Sequence, residues 1–161
     1  MWNRRDYLHF RSQRVEQPGN QGNRPGFPKY RQTYDLHRTG TRICGRHTYG
    51  LQQQGWEVDL LDIQRDGTID LEQLGDLLRK DTILVSVCAV DSELGTIQPV
   101  SEIAEILRDF PGCRLHVDAT QAMGKIPVCL DGIDTLSFTP HKFYGLNGSG
   151  ILYKKKDLIL E

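Results

Sequence analysis

Apolar residues follow two different patterns along the chain from about Leu51 onward. Runs rich in β-branched residues predict strands in "WEVDLLDI", "TILVSVCAV", "RLHVDAT", "TLSFT" and "GILYKKK". Other segments repeat apolar residues at helical spacing, and each begins near a residue type that caps helices, Asp70 or Ser101. Because strands and helices alternate, we predict an α/β fold with a parallel-rich sheet flanked by helices.

The first 47 residues lack both patterns and are rich in Arg, Gln, Asn and Gly, so their composition predicts disorder. They contain nine arginines and one lysine against three acidic residues, a balance of +7. Residues 48–161 contain ten basic and eighteen acidic residues, a balance of −8. We therefore divide the chain into a separate segment over 1–47 and a folded domain over 48–161.

Length and composition restrict the class of protein. A chain of 161 residues suits one domain or part of a larger protein. It has no apolar run near membrane-spanning length, and "MWNRRDYLHF" lacks the apolar core of a secretory signal, so we expect a cytoplasmic location and no membrane partner. Its four cysteines are widely spaced, which argues against a zinc site or a disulfide framework, and we expect no metal. Cys88 and Cys129 lie in apolar runs, which predicts buried, inert thiols.

Polar side chains that could support chemistry follow two of the predicted strands. Asp118 follows "RLHV", and Thr139, His141 and Lys142 follow "TLSF". In parallel α/β sheets, ligands gather at the carboxyl ends of the strands. This set of groups suits pyridoxal 5′-phosphate, since an amine can form a Schiff base with the aldehyde and a carboxylate can keep the pyridine nitrogen protonated. Hydroxyl and imidazole groups beside the lysine can hold the phosphate.

Each of these residues also has a purely structural interpretation. A lysine in a loop is usually a solvated surface residue, and an aspartate after a strand more often caps a turn or a helix. His116, which precedes Asp118 in the same predicted strand, could be a hydrogen-bonded core histidine. The residues alone leave these alternatives open.

Longer motifs around the two strand ends favour the cofactor-binding interpretation of these residues over the structural one. "HVDATQAMGKIPV" followed by "SFTPHKFYGLNGSGILY" resembles the cofactor signature of cysteine desulfurases, within the class V aminotransferase superfamily. "DTILVSVCAVDSELGTIQPVSEIAEI" is also similar to that family, and the resemblance runs from about Leu51 to Glu161. It implies part of the large domain of a fold type I enzyme that depends on pyridoxal phosphate.

The resemblance also implies roles for individual residues. Lys142 would be the catalytic Schiff-base lysine and Asp118 the partner of the pyridine nitrogen. Gln121 would donate to the phenolic oxygen of the cofactor, and Thr139 and His141 would bind the phosphate. The chain departs from the family at Asp91 and Ser92, where the family usually has two asparagines, so Ser92 is a weak candidate for a contact with the ring or the substrate.

The activity implied by the resemblance is removal of sulfur from L-cysteine, which gives L-alanine and an enzyme persulfide for iron–sulfur cluster assembly or another sulfur-acceptor protein. The resemblance also implies that the intact protein is a homodimer, as family members generally are. The persulfide-forming cysteine of the family lies well downstream of the lysine, so we assign that role to none of the four cysteines and expect this chain alone to be inactive. The alternatives are another class V enzyme, such as an aminotransferase or a selenocysteine lyase, and a non-catalytic remnant.

Two family motifs expected before the first strand are missing from residues 1–47. If "FRSQRVEQPGNQG" is read from the second base of each codon, the genetic code permits S-G-A-N-E-S-N-N-L-A-I-K-G, which resembles the family's phosphate loop. The same shift of "DLHRTGTRICGRH" permits I-S-T-E-Q-E-H-A-S-V-V-D-T, which resembles the stretch with the ring-stacking histidine. We therefore predict that residues 1–47 come from the wrong reading frame.

Two alternatives for residues 1–47 are a natural disordered tail and a basic arm that binds nucleic acid through counterion release. The arm has arginines, but it has no fold, motif or aromatic ladder for specific binding, so we expect no nucleic-acid partner.

Overall fold

The computed structural model describes Gln53 and residues 56–159. These residues contain a four-stranded sheet in the order β1-β2-β3-β4. The strands are β1 (Leu84–Cys88), β2 (Arg114–Asp118), β3 (Thr135–Phe138) and β4 (Ile151–Lys154). β1 pairs with β2 and β2 with β3 in parallel, while β4 runs antiparallel to β3. The predicted parallel-rich α/β sheet is therefore confirmed.

Two short helices precede β1 and β2. Helix α1 (Leu71–Leu77) begins at the predicted cap, since the Asp70 side chain accepts hydrogen bonds from the amides of Glu72 and Gln73. Helix α2 (Val100–Ile106) continues into a 3-10 turn over Leu107–Asp109, and a second 3-10 turn follows β3 over Pro140–Phe143. None of the helices in the described part of the chain is long and apolar enough to cross a membrane.

The two faces of the sheet differ in chemistry because side chains alternate along each strand. One face is apolar and packs into a core with side chains of α1 and α2; its most buried strand residues are Val85, Val87, Leu115, Val117 and Leu136. On the other face, the strand register places polar residues side by side, namely Ser86, His116, Asp118, Thr135 and Ser137. The sheet therefore holds an apolar core on one side and a row of polar groups on the other.

The prediction of a strand in "WEVDLLDI" is wrong. Within that run only Ile63 pairs, through an isolated antiparallel bridge with Ile69. The Asp62 amide donates to the side-chain oxygen of Gln73, and its carbonyl accepts from Asp70. Because these bonds go to α1 and to the turn before it, the run packs as an extended connection rather than as a strand of the sheet.

The prediction that Ser101 caps the second helix is also wrong. The cap residue is Pro99, whose carbonyl accepts from the Ile103 amide, and Ser101 lies in the first turn with an exposed side chain. Among the cysteines, Cys113 is buried and Cys88 is half-buried, but Cys129 is exposed. In the run "IPVCL", Ile126 and Val128 are half-buried, whereas Cys129 and Leu130 are exposed.

The predictions for residues 1–47, disorder and a shifted reading frame, lie outside the described residues. They stay predictions.

Candidate cofactor site

The carboxyl ends of β2 and β3 lie side by side, and they carry the residues that the sequence singled out. Asp118 is the last residue of β2 and is paired in register with Ser137 of β3. The Ala119 amide donates to the Ser137 carbonyl at 2.8 Å, which extends the pairing past the end of β2. Because the strands are parallel, Asp118 and the turn that bears Lys142 leave the sheet at the same edge.

The Asp118 carboxyl group is almost fully buried, with 4% of the residue exposed. One of its oxygens accepts from the Thr120 amide at 2.8 Å, and the Cys88 sulfur lies 4.0 Å from the other. By accepting from the Thr120 amide, Asp118 caps the turn after β2, which was the structural alternative for this residue. This contact uses one carboxyl oxygen and fixes the direction of the other, so the structural interpretation and the functional one are compatible.

Lys142 lies in a closed turn. Its amide donates to the Thr139 carbonyl at 3.2 Å, and the Gly145 amide donates to the Pro140 carbonyl at 2.9 Å. Tyr144 takes a left-handed conformation with φ of 66°. A Cβ atom at position 145 would lie 2.5 Å from the Pro140 Cβ, so only glycine closes the turn without strain. The Lys142 side chain itself is exposed.

Thr139 precedes this turn, His141 lies within it, and both are half-buried. The Thr139 hydroxyl oxygen is fully buried and has no hydrogen-bond partner among the residues that the structure describes. An unsatisfied buried hydroxyl costs about 1–3 kcal/mol, so such groups usually have a ligand or an ordered water as partner. A phosphate group at this edge would supply the missing acceptor, and the residues present therefore fit pyridoxal phosphate.

Gln121 and Ser92 complete the set of predicted site residues. Gln121 follows β2, and its side-chain oxygen accepts from the Lys125 amine at 2.9 Å, which leaves its amide nitrogen to donate elsewhere. Ser92 follows β1 and is exposed. It lies in a tight loop in which the Asp91 carboxylate accepts from the amides of Glu93 and Leu94. Both residues come from strands that end at the same edge as Asp118, and whether they contact one ligand stays a prediction.

No functional role was predicted from the sequence for three polar residues of the same face. The imidazole of His116 lies 2.8 Å from the Thr135 hydroxyl through Nδ1 and 3.3 Å from the Ser137 hydroxyl through Nε2. Burial lowers the pKa of His116 to about 4, so the ring is neutral near pH 7. The sequence pattern that could have indicated this cluster is His-x-Asp in one strand and Thr-x-Ser in the next. This alternation places all four residues on one face of the sheet.

The segment after Asp118 also packs against the turn that bears Lys142, called the lysine turn below. Gly124 has a positive φ of 77°, and a Cβ atom there would lie 2.9 Å from the Phe143 Cβ. The Phe143 ring packs in turn against Phe138 of β3, with 5.9 Å between ring centroids. The chain leaving β2 therefore packs directly on the residue that follows Lys142.

The described residues contain no group of three or more His, Cys, Asp or Glu side chains that could hold a metal ion. The site at the strand ends thus consists of an amine, a carboxylate, a buried hydroxyl and an imidazole.

An α/β sheet with these groups at one edge fits a domain of the kind that binds an organic, phosphate-bearing cofactor. Residues 49–161 match the family described as aminotransferase class-V. The chain therefore belongs to that family.

Similar proteins agree with this assignment. The chain is 45% identical over 113 residues to a NifS/IcsS protein homolog of Lactobacillus delbrueckii subsp. bulgaricus, a match that covers 68% of this chain and 29% of that protein. It is 43% identical over 108 residues to the cysteine desulfurase IscS of Dictyoglomus turgidum, covering 66% and 27%. A solved structure of a NifS-like protein superimposes with a TM-score of 0.72 at 35% identity, covering 78% of this chain and 35% of that one. The chain spans less than a third of the length of these curated relatives.

Proposed function

We propose that this chain carries the lysine-bearing part of a cysteine desulfurase that uses pyridoxal 5′-phosphate to remove sulfur from L-cysteine. The observation that carries the proposal is that Asp118 and the Lys142 turn leave neighbouring parallel strands at one edge. The class-V family consists of pyridoxal-phosphate enzymes, and the matched relative in Dictyoglomus turgidum is named a cysteine desulfurase.

Each polar group at the edge has a role in this proposal. The Lys142 amine holds the cofactor through its aldehyde and later accepts or returns a proton at the substrate. The Asp118 carboxylate keeps the pyridine nitrogen protonated. The Thr139 hydroxyl and His141 hold the phosphate, and the Gln121 amide donates to the phenolic oxygen. When bound, the cofactor supplies an electron-poor ring that withdraws electrons from the amino acid.

The burial of these groups supports the division of roles. Asp118 is buried and oriented by the Thr120 amide, which fixes the direction of its second carboxyl oxygen. The Thr139 hydroxyl is buried without a partner in the described residues, as expected for a group that donates to a phosphate oxygen when the cofactor is bound. Lys142 is exposed, so its amine is accessible to a small molecule. Ser92 is exposed in the loop after β1 and is the weakest of the proposed contacts.

The remaining expectations from the family are also proposals. We infer that the intact protein is a cytoplasmic homodimer, that it releases L-alanine, and that it passes sulfur to an acceptor protein. The cysteines at 88, 113 and 129 do not combine exposure with a position at the site edge, since Cys88 is half-buried, Cys113 is buried, and Cys129 lies in the connection before β3. We therefore expect no alanine release from this chain alone.

Absorbance spectroscopy tests the cofactor role. Adding pyridoxal 5′-phosphate to the purified 161-residue chain should produce the visible band of a lysine-bound aldehyde, and Lys142→Ala should abolish it. Lys80→Ala is the matched control, since Lys80 is an exposed lysine outside the site. Borohydride reduction followed by peptide mass spectrometry should place the trapped cofactor on Lys142. A band that survives Lys142→Ala, or label spread over several lysines, would refute the proposal.

The reading-frame proposal has a separate test. The family match begins at residue 49, which supports a boundary close to position 47. Sequencing the DNA that encodes residues 1–50 decides the matter, because codons that forbid the two shifted peptides exclude a frameshift there. If the codons permit them, restoring the frame and measuring cofactor affinity would show whether the repaired segment contributes to the site.

A further inference from the structure

His116 bridges the two strands that carry the candidate site. It lies on β2 two residues before Asp118, and the register pairs it with Thr135 of β3. Its two ring nitrogens contact two different side chains of β3, with Nδ1 2.8 Å from the Thr135 hydroxyl and Nε2 3.3 Å from the Ser137 hydroxyl. The ring therefore spans the β2–β3 pair along two successive positions of one face.

The chemistry of the three groups suits a fixed bridge. A neutral imidazole has one N–H donor and one acceptor nitrogen, and a hydroxyl can serve either as donor or as acceptor. Burial keeps the ring neutral, since it lowers the pKa of His116 to about 4. Both nitrogens of the neutral ring can therefore be satisfied at once, whichever tautomer is present.

The position of the bridge matters because the backbone pairing between β2 and β3 is short. The register contains three residue pairs, from His116 with Thr135 to Asp118 with Ser137. Ser137 is paired with Asp118 itself, and Thr139 and Lys142 come two and five residues after Ser137. Any slip or twist of β3 relative to β2 would thus change the separation of the carboxylate and the amine.

We propose that His116 is a positioning residue that holds β3 and its lysine turn in register with Asp118. The inference rests on the proposed function for its catalytic meaning, but the bridge itself is a property of the cofactor-free chain. His116 acts through Thr135 and Ser137, and it need not touch the cofactor.

Hydrogen exchange of the cofactor-free protein tests the bridge directly. In His116→Leu, the Lys142 and Gly145 amides, which close the lysine turn, should exchange at least tenfold faster than in the unaltered chain. His116→Asn, which can keep one bond to Thr135, should give an intermediate rate. The matched control is Gln98→Ala, which removes another buried side chain with two hydrogen bonds to backbone, but at Gly67 and Ile69.

The comparison with Gln98→Ala separates positioning from general stability. Equal acceleration at both amides in the two variants, or no acceleration in His116→Leu, would overturn the proposal. If His116→Leu does not fold, Thr135→Val and Ser137→Ala each remove one bond and keep the ring, and the same rates decide the question.

Cofactor titration then distinguishes failure of the bridge from failure of the proposed function. Where the unaltered chain binds pyridoxal 5′-phosphate, His116→Leu should weaken the Kd at least tenfold and Gln98→Ala less than threefold. An unchanged Kd in His116→Leu would overturn the positioning role while leaving the cofactor assignment in place. If the unaltered chain binds none, the proposed function fails, and the exchange rates alone decide the role of His116.

Discussion

Replacing Gly124 by alanine should destabilise the fold and displace the residue that follows Lys142. Gly124 has a φ of 77°, a conformation that costs an L-residue roughly 1–2 kcal/mol. The new Cβ would lie 2.9 Å from the Cβ and 3.0 Å from the Cγ of Phe143. Overpacking of this kind costs about 1–3 kcal/mol. The two effects together predict a loss of about 2–5 kcal/mol, a large share of the roughly 5–15 kcal/mol that stabilises a typical domain.

Substitutions at two other glycines separate the cost of the backbone conformation from the cost of the clash with Phe143. Gly148 has a φ of 82° with no atom within 4 Å of a built Cβ, so Gly148→Ala should show only the backbone cost of about 1–2 kcal/mol. Gly112 has neither a positive φ nor a neighbour within 4 Å, and Gly112→Ala should change stability by less than about 0.5 kcal/mol. Urea unfolding followed by far-ultraviolet circular dichroism measures all three variants under the same conditions.

A double-mutant cycle identifies the neighbour. If Phe143 causes the clash, Gly124→Ala should cost about 1–3 kcal/mol less when Phe143 is already replaced by alanine. The reasoning fails if Gly124→Ala unfolds at the same urea concentration as Gly148→Ala. It also fails if the cost of Gly124→Ala is unchanged in the Phe143→Ala background.

Three further predictions address other contacts of the described residues. Gln98→Ala should lower the free energy of unfolding by about 2–4 kcal/mol, because it leaves a buried amide and a buried carbonyl unpaired. The hydrogen bonds of Gln73 are exposed, so the control Gln73→Ala should lower it by less than about 1 kcal/mol. Equal urea midpoints for the two variants would contradict this. His116 has a folded pKa of about 4 against 6.5 when unfolded, so the unfolded state binds more protons between these values and stability should fall by up to about 3 kcal/mol as the pH drops through that window. His116→Gln should remove that part of the pH dependence, and an unchanged pH profile of unfolding would disprove the assignment. Burial raises the pKa of the Cys113 thiol to about 12, so this thiol is protonated and unreactive at pH 8. A disulfide reagent should therefore label the exposed Cys129 in the folded chain and Cys113 only on unfolding. If Cys113→Ser removes a fast-reacting thiol from the folded chain, this prediction is wrong.

Much of the fold could be predicted because local and tertiary preferences agree. The run "TILVSVCAV" contains β1, and the runs from Arg114, Thr135 and Gly150 contain β2, β3 and β4. Asp70 caps α1 as expected, since a short side chain ahead of an apolar stripe can satisfy the first amides whatever the surroundings. The parallel arrangement followed from the alternation of strands and helices.

The failures have tertiary causes. "WEVDLLDI" has the composition of a strand, but its backbone bonds to α1 and a turn instead of to a neighbouring strand. Ser101 has the right chemistry for a helix cap, but Pro99 supplies the first carbonyl of α2 two residues earlier. Cys129 lies in an apolar run, yet only Ile126 and Val128 of that run are half-buried, and Cys129 is exposed together with Leu130.

The candidate site divides in the same way. The sequence named Asp118, Thr139, His141 and Lys142, because unusual polar groups after apolar runs need a reason that local propensity does not supply. It could not show that the Thr139 hydroxyl is buried without a described partner, or that Gly145 is required by its approach to Pro140. Those facts depend on which atoms meet across a turn.

By itself the sequence determined the four strands of the sheet, which residues stand at their ends and which family the motifs resemble, since these depend on composition and spacing along the chain. Only the tertiary structure decided that His116 reaches two hydroxyls of the next strand and that Gly124 packs on Phe143. The physical reason is that hydrogen bonds and packing act over a few ångströms, between atoms that the sequence separates by about twenty residues and only the register of the sheet brings together.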